Sequence, residues 1–132
     1  MSSQQIPQIL VVDDQQSVSE TIAMVLRSRG YAVCTADSGR DALLRLKDTP
    51  LQLIISDLTM PRMSGFELIS AIRWRFPRMP VIAMSGTYTI DQIPRSVDAF
   101  YAKGRMSPER LVSMVKKLLS GQYDRSRHLD AA

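Results

Sequence analysis

Five polar residues stand where apolar runs stop. The run Gln8–Val12 ends in Asp13 and Asp14, Leu53–Ser56 ends in Asp57, Val81–Met84 ends in Ser85, and Ala99–Ala102 ends in Lys103. Three carboxylates, a hydroxyl and an ammonium thus occupy corresponding points of four separate segments. Carboxylates brought that close repel one another and need a counter-ion or raised pKa values. An Asp-Asp pair alone signals little, because it is as often a turn or a helix cap. A suitable polar residue at four successive run ends is far harder to reach by chance. Other chemistries lack their residues: the one histidine, His128, lies in a polar tail, which argues against a His-based zinc site or a Ser-His-Asp triad. The one cysteine, Cys34, rules out an internal disulfide and fits a reducing compartment.

These residues converge only if the runs are strands of one parallel sheet, where sites form outside the carboxyl ends. The runs are continuously apolar rather than alternating, as strands covered on both faces are. Amphipathic stretches separate them. Ser17 and Glu20 form a capping-box pattern ahead of Val18, Ile22, Val25 and Leu26, with Gly30 as the stop. Tyr31–Ala36 reads as a second strand, holding Cys34 as a buried small hydrophobe and ending at Asp37, a turn or cap residue. Ser38 caps a helix that ends before Pro50, and Ser64 with Glu67 caps one carrying Phe66, Ile69, Ile72 and Phe76. Ser107-Pro108 opens a closing helix with Leu111, Val115, Leu118 and Leu119 inward and Gly121 at its end. Five strands alternating with helices predict an α/β fold with a parallel sheet and helices on both faces. Only Gly86–Asp98 joins the fourth strand to the fifth, with Pro94 in the middle, so the fourth helix is expected to be short or irregular.

A chain of 132 residues, 45% hydrophobic and 23% charged, suits one domain. No apolar run approaches the roughly 18–20 residues of a membrane span, and the first residues do not read as a signal peptide. The net charge of +4 hides an asymmetry: with Asp13, Asp14, Asp57 and Lys103 set aside, 16 basic residues face 10 acidic ones. A basic body suits an acidic partner surface and also supports weak, salt-sensitive nucleic-acid contact. Trp74 falls off the apolar side of its helix beside Arg73, Arg75 and Arg78, marking either a partner surface or a solvated face with arginine stacked on the indole.

The motifs Ile9-Leu-Val-Val-Asp-Asp14, Asp57-Leu-Thr-Met-Pro-Arg-Met-Ser-Gly65, Ala83-Met-Ser-Gly86 and Phe100-Tyr-Ala-Lys103 resemble those of the receiver domains of two-component response regulators. The likeness covers residues 8–120, leaving 1–7 as an N-terminal extension and 121–132 as a polar tail. It implies a doubly wound, flavodoxin-like sheet in the order 2-1-3-4-5. It also implies that Asp57 accepts a phosphoryl group from a sensor histidine kinase or a histidine phosphotransfer protein. Mg²⁺ or Mn²⁺ would be held by Asp14 directly, Asp13 through water, Asp57 and the Thr59 backbone carbonyl. Lys103 and Ser85 would stabilise the phosphoryl group, Phe100 would turn inward as the switch aromatic, and Thr59 and Thr87 would tune hydrolysis. A downstream protein target of unknown identity, no DNA-binding module and a bacterial cytoplasmic location follow from the same resemblance. So does a signalling protein that is no enzyme in the ordinary sense, though it promotes its own phosphoryl transfer and hydrolysis.

The pattern departs from the family's at three places, one of them the pair Thr59 and Thr87, neither of which can act as a general base at neutral pH. Gly104 stands where a cis-forming proline is usual, so a trans, glycine-permitted turn is expected there. The shortened fourth crossover alters the face, built from the fourth helix, fifth strand and fifth helix, that commonly binds partners. The alternative is a pseudo-receiver, an interaction module that keeps the fold without phosphate control; a phosphatase would want an acid where Thr59 stands.

Overall fold

The computed structural model describes residues 6–120. Five strands, β1 Gln8–Val12, β2 Ala32–Ala36, β3 Leu53–Asp57, β4 Val81–Ser85 and β5 Ala99–Ala102, form one sheet in the order β2-β1-β3-β4-β5. All neighbours run parallel, with registers such as Ile9 opposite Leu53, Ile54 opposite Val81 and Ile82 opposite Ala99. The helices are α1 Gln16–Arg27, α2 Gly39–Asp48, α3 Gly65–Arg75 and α4 Pro108–Leu119. The expected doubly wound sheet is therefore present.

Period-2 alternation divides each strand between two cores. Leu10, Val12, Ile54, Ala83 and Phe100 pack with Leu46, Leu68, Ile69 and Ile72 from α2 and α3. Ile9, Val11, Ile55, Met84 and Tyr101 pack with Ile22, Leu26, Leu111 and Val115 from α1 and α4. Truncating such fully buried aliphatic residues costs about 2–5 kcal/mol each. The fourth crossover holds only a single 3₁₀ turn, Ile90–Gln92, and buries Ile93 and Val97 in place of a helix.

The helix starts separate a correct cap from a wrong one. Ser38 Oγ accepts from Asp41 N at 3.0 Å, and Ser107 Oγ accepts from Arg110 N at 3.3 Å. The Ser64–Glu67 box closes through bonds of 3.2 and 2.9 Å. The Ser17–Glu20 box does not form. The Asp13 carboxylate takes the Gln15 N–H at 2.9 Å, which fixes Gln15 as the N-cap and starts α1 at Gln16. Ser17 is then inside the helix, and Glu20 faces Arg27 at 3.9 Å instead. Phe66 and Phe76 are half-buried, and Leu68 takes the deep position on α3. Leu119 and Cys34 are likewise half-buried rather than buried, Cys34 lying against the core on the outermost strand, β2. Gly121, His128, the polar tail and residues 1–5 lie outside the described residues. No helix among the described residues is long and apolar enough to cross a membrane.

Candidate functional site

The parallel register brings the ends of β1, β3, β4 and β5 to one edge of the sheet. Carboxylate oxygens of Asp13, Asp14 and Asp57 lie within 4.8 Å of one another. Asp13 is fully buried, Asp57 is 5% exposed and Asp14 faces solvent. Lys103 reaches across from the end of β5, its Nζ 3.0 Å from Asp13 Oδ2 and 3.4 Å from Asp57 Oδ2. Both Asp13 oxygens are thus engaged, one with Gln15 N and one with the ammonium.

The charges compete. Burial raises the Asp57 pKa most and the Asp13 charge adds to that, while Lys103 and the Thr59 backbone N–H pull it back. Burial also works against the Lys103 ammonium, but the Asp13 hydrogen bond and the Asp57 charge outweigh it and its pKa rises. Lys103 offsets one of three negative charges, so the group still lacks cationic charge. All-oxygen donors and a residual charge of two suit a hard divalent cation. A cleft of about 340 Å³ opens beside them, lined by Asp14, Gln15, Asp57, Thr59, Gly86, Thr87 and Lys103. Thr59 and Thr87 therefore both border the space over Asp57.

Ser85 and Phe100 are placed differently. Ser85 is 1% exposed, and its Oγ accepts from Thr87 N at 2.9 Å and Tyr88 N at 2.7 Å, binding it to the loop that follows. Phe100 lies buried in the core beneath α3. Tyr101, one residue on, faces the other core and donates its hydroxyl to the Met106 carbonyl at 2.9 Å. Gly104 sits at φ +80° and no described peptide bond is cis, matching the expected glycine turn. Asp37 is not one of the three grouped carboxylates; it lines an adjoining polar cleft with Asp14, Asp41 and Arg45.

Two positioning residues carry no signal in the charge pattern. Gln15 lines the cleft while its backbone anchors Asp13. Gly65 lies against the back of Asp57: a Cβ there would meet Asp57 O, and Leu58 Cα at 2.6 Å. The visible sign was a glycine at the first helical position behind a good cap, where helix propensity gives no reason for one.

Residues 9–116 match the model of the response regulator receiver domain. Response regulator RR06 of Streptococcus pneumoniae is 34% identical over 110 residues, 83% of this chain and 50% of its own length. Over 127 residues, 96% of this chain, the autoinducer 1 sensor kinase/phosphatase LuxN of Vibrio harveyi is 28% identical; the match spans 13% of LuxN. The chain thus spans half or less of these curated relatives. The response regulator TrrA of Thermotoga maritima, solved in complex with Mg²⁺-BeF, superposes with a TM-score of 0.80 at 29% identity, covering 86% of this chain and 99% of TrrA. The carboxylate group at the sheet edge, the strand order and the match over most of the chain agree, and the chain belongs to the response regulator receiver domain family of two-component signal transduction.

Proposed function

We propose that this chain is a phospho-receiver in which Asp57 takes a phosphoryl group from a phosphohistidine of a sensor histidine kinase or histidine phosphotransfer protein. The observation that carries this is Lys103 bridging Asp13 and Asp57 beside an open cleft. An Asp57 oxygen attacks phosphorus, the P–N bond to imidazole breaks, and the nitrogen keeps the electron pair and takes up a proton. The equatorial oxygens then need compensation for their charge. Lys103 supplies it as a point charge on one side. Ser85 donates its hydroxyl once it turns from the Thr87 and Tyr88 amides.

Asp14, Asp57 and the Thr59 carbonyl would hold Mg²⁺ (or Mn²⁺) directly, with Asp13 acting through water, and the ion would supply positive charge for the phosphoryl oxygens. Asp13 suits the outer role because both its oxygens are already engaged. Thr59 and Thr87, flanking the cleft, set how water reaches the acyl phosphate. Neither is a general base at neutral pH. Phe100 follows Ser85 as the aromatic whose packing changes with phosphate, and the changed surface alters protein–protein contacts.

The test is incubation with Mg²⁺ and acetyl phosphate or a phosphorylated kinase, followed by mass spectrometry. A labile adduct on the wild type that is absent from Asp57→Asn is expected. No wild-type adduct leaves the pseudo-receiver in its place, and an adduct that persists in Asp57→Asn refutes the site.

A further inference from the structure

Trp74 is 87% exposed, the most exposed of the large apolar side chains among the described residues, and it is the chain's single tryptophan. It stands on the outer side of α3, the least amphipathic of the four α-helices. The fold gains nothing from it, because α3 buries Leu68, Ile69 and Ile72 on its other side. Among the described residues, Arg75 and Arg78 neither stack on the indole nor pair with a carboxylate. That contrasts with Arg27, Arg29 and Arg45, which face Glu20, Glu109 and Asp41. The nearest acid on the helix, Glu67, is two turns away and caps the Ser64 N–H.

The backbone under this patch is fixed. The Arg73 guanidinium donates to the carbonyls of Ser96 at 2.7 Å, Pro77 at 2.9 Å and Met79 at 2.8 Å, and lies 3.4 Å from Asp98 Oδ2. Trp74, Arg75 and Arg78 are therefore displayed from a rigid corner, which lowers the ordering cost of binding. Tryptophan and arginine are the residues that most often carry interface energy.

We propose that Trp74, Arg75 and Arg78 form a docking surface for a protein segment that offers an apolar pocket or side chain beside carboxylates. Charge selects the occupant. A second copy meeting this patch about a twofold axis would set arginine against arginine, whereas an acidic segment neutralises both and covers the indole. The surface lies at the far end of α3 from Asp57, about 15 Å along a helix of 11 residues. Docking here thus stands apart from phosphoryl transfer and is expected to survive Asp57→Asn.

The test starts from a displayed random peptide library panned on the intact chain. Recovered peptides are synthesised with a fluorescent label and titrated against wild type, Trp74→Ala, Arg75→Glu/Arg78→Glu and Asp57→Asn. Expected are peptides pairing Asp or Glu with aromatic or aliphatic residues, and a blue shift of Trp74 emission. Affinity should fall about tenfold or more in the first two variants and hold in the third. The exposed positions leave folding intact, which circular dichroism checks. Failure to recover a peptide, or peptides that bind Trp74→Ala equally well, would overturn the proposal. So would an emission shift with anionic lipid vesicles or oligothymidylate and none with the acidic peptides, which would give the patch to a membrane or a nucleic acid.

Discussion

Replacing Gly65 by alanine tests whether the phosphoacceptor is held from behind. The added Cβ would lie 2.6 Å from Leu58 Cα and 2.9 Å from the Asp57 carbonyl carbon. Carbon atoms normally rest about 3.5–4.0 Å apart. The end of β3 or the start of α3 must therefore shift by about 1 Å, and both are main chain. Overpacking of this kind costs about 1–3 kcal/mol. Better helix propensity returns less than about 1 kcal/mol at the first position of a helix. A net loss of about 1–2 kcal/mol in urea unfolding is expected. A 1 Å misplacement of a reacting group costs up to about a hundredfold in rate, so adduct formation from acetyl phosphate should fall by tenfold or more. Gly39→Ala is the control: its Cβ would meet Met63 Sδ at 2.5 Å and Cγ at 2.9 Å, but these are side-chain atoms of a flexible methionine rather than main chain. It should lose under about 1 kcal/mol and form adduct at the wild-type rate. If Gly65→Ala matched the wild type in both assays, Gly65 would not position Asp57.

Asp57→Asn removes a carboxylate whose folded-state pKa is raised by burial and by Asp13. A raised carboxylate pKa is a stability penalty, present above the folded value and gone below the unfolded one. The variant should therefore be more stable than wild type at pH 7, with the gap closing on acidification; a gap that widens as pH falls refutes this. Millimolar Mg²⁺ should raise the wild-type melting temperature and shift Asp57→Asn or Asp14→Ala less, and equal shifts in all three would count against the assigned ligands. At φ +80°, Gly104 lies outside the range a proline ring allows, so a proline there would need a new turn. Gly104→Ala should cost about 1–2 kcal/mol, measured by denaturation, and a neutral result would mean the turn relaxes freely. Arg73→Met should lose about 2–4 kcal/mol, because three carbonyls and Asp98 share one guanidinium; a loss under about half a kcal/mol would remove the clamp from the account.

The sheet was legible because its strands are continuously apolar and stop at charge. A parallel sheet then fixes where those stops meet, so Asp13, Asp14, Asp57 and Lys103 could be grouped from spacing alone. The start of α1 was not legible, because a buried carboxylate from the site outcompeted a local capping pattern. The orientation of Ser85 was hidden for a similar reason: its hydroxyl serves the following loop, a choice made by backbone geometry. Gly65 closes the Asp57–Gly65 motif, yet its role is steric and appears only when the two main chains are seen in contact.

The unequal crossovers bear on how the site is assembled during folding. Paired residues are 17 apart between β4 and β5 (Ile82 and Ala99) and 27 apart between β3 and β4 (Ile54 and Val81). Between β1 and β3, Ile9 and Leu53 are 44 apart. Loop-closure entropy rises with the logarithm of that separation, so losing a helix from the fourth crossover eases the pairing of β5. Asp57, Ser85 and Lys103 all lie in the half with shorter closures, and the acidic pair arrives with the longest. On chain entropy alone, β1 completes the site last, and mutations in β1 should speed unfolding more than they slow folding.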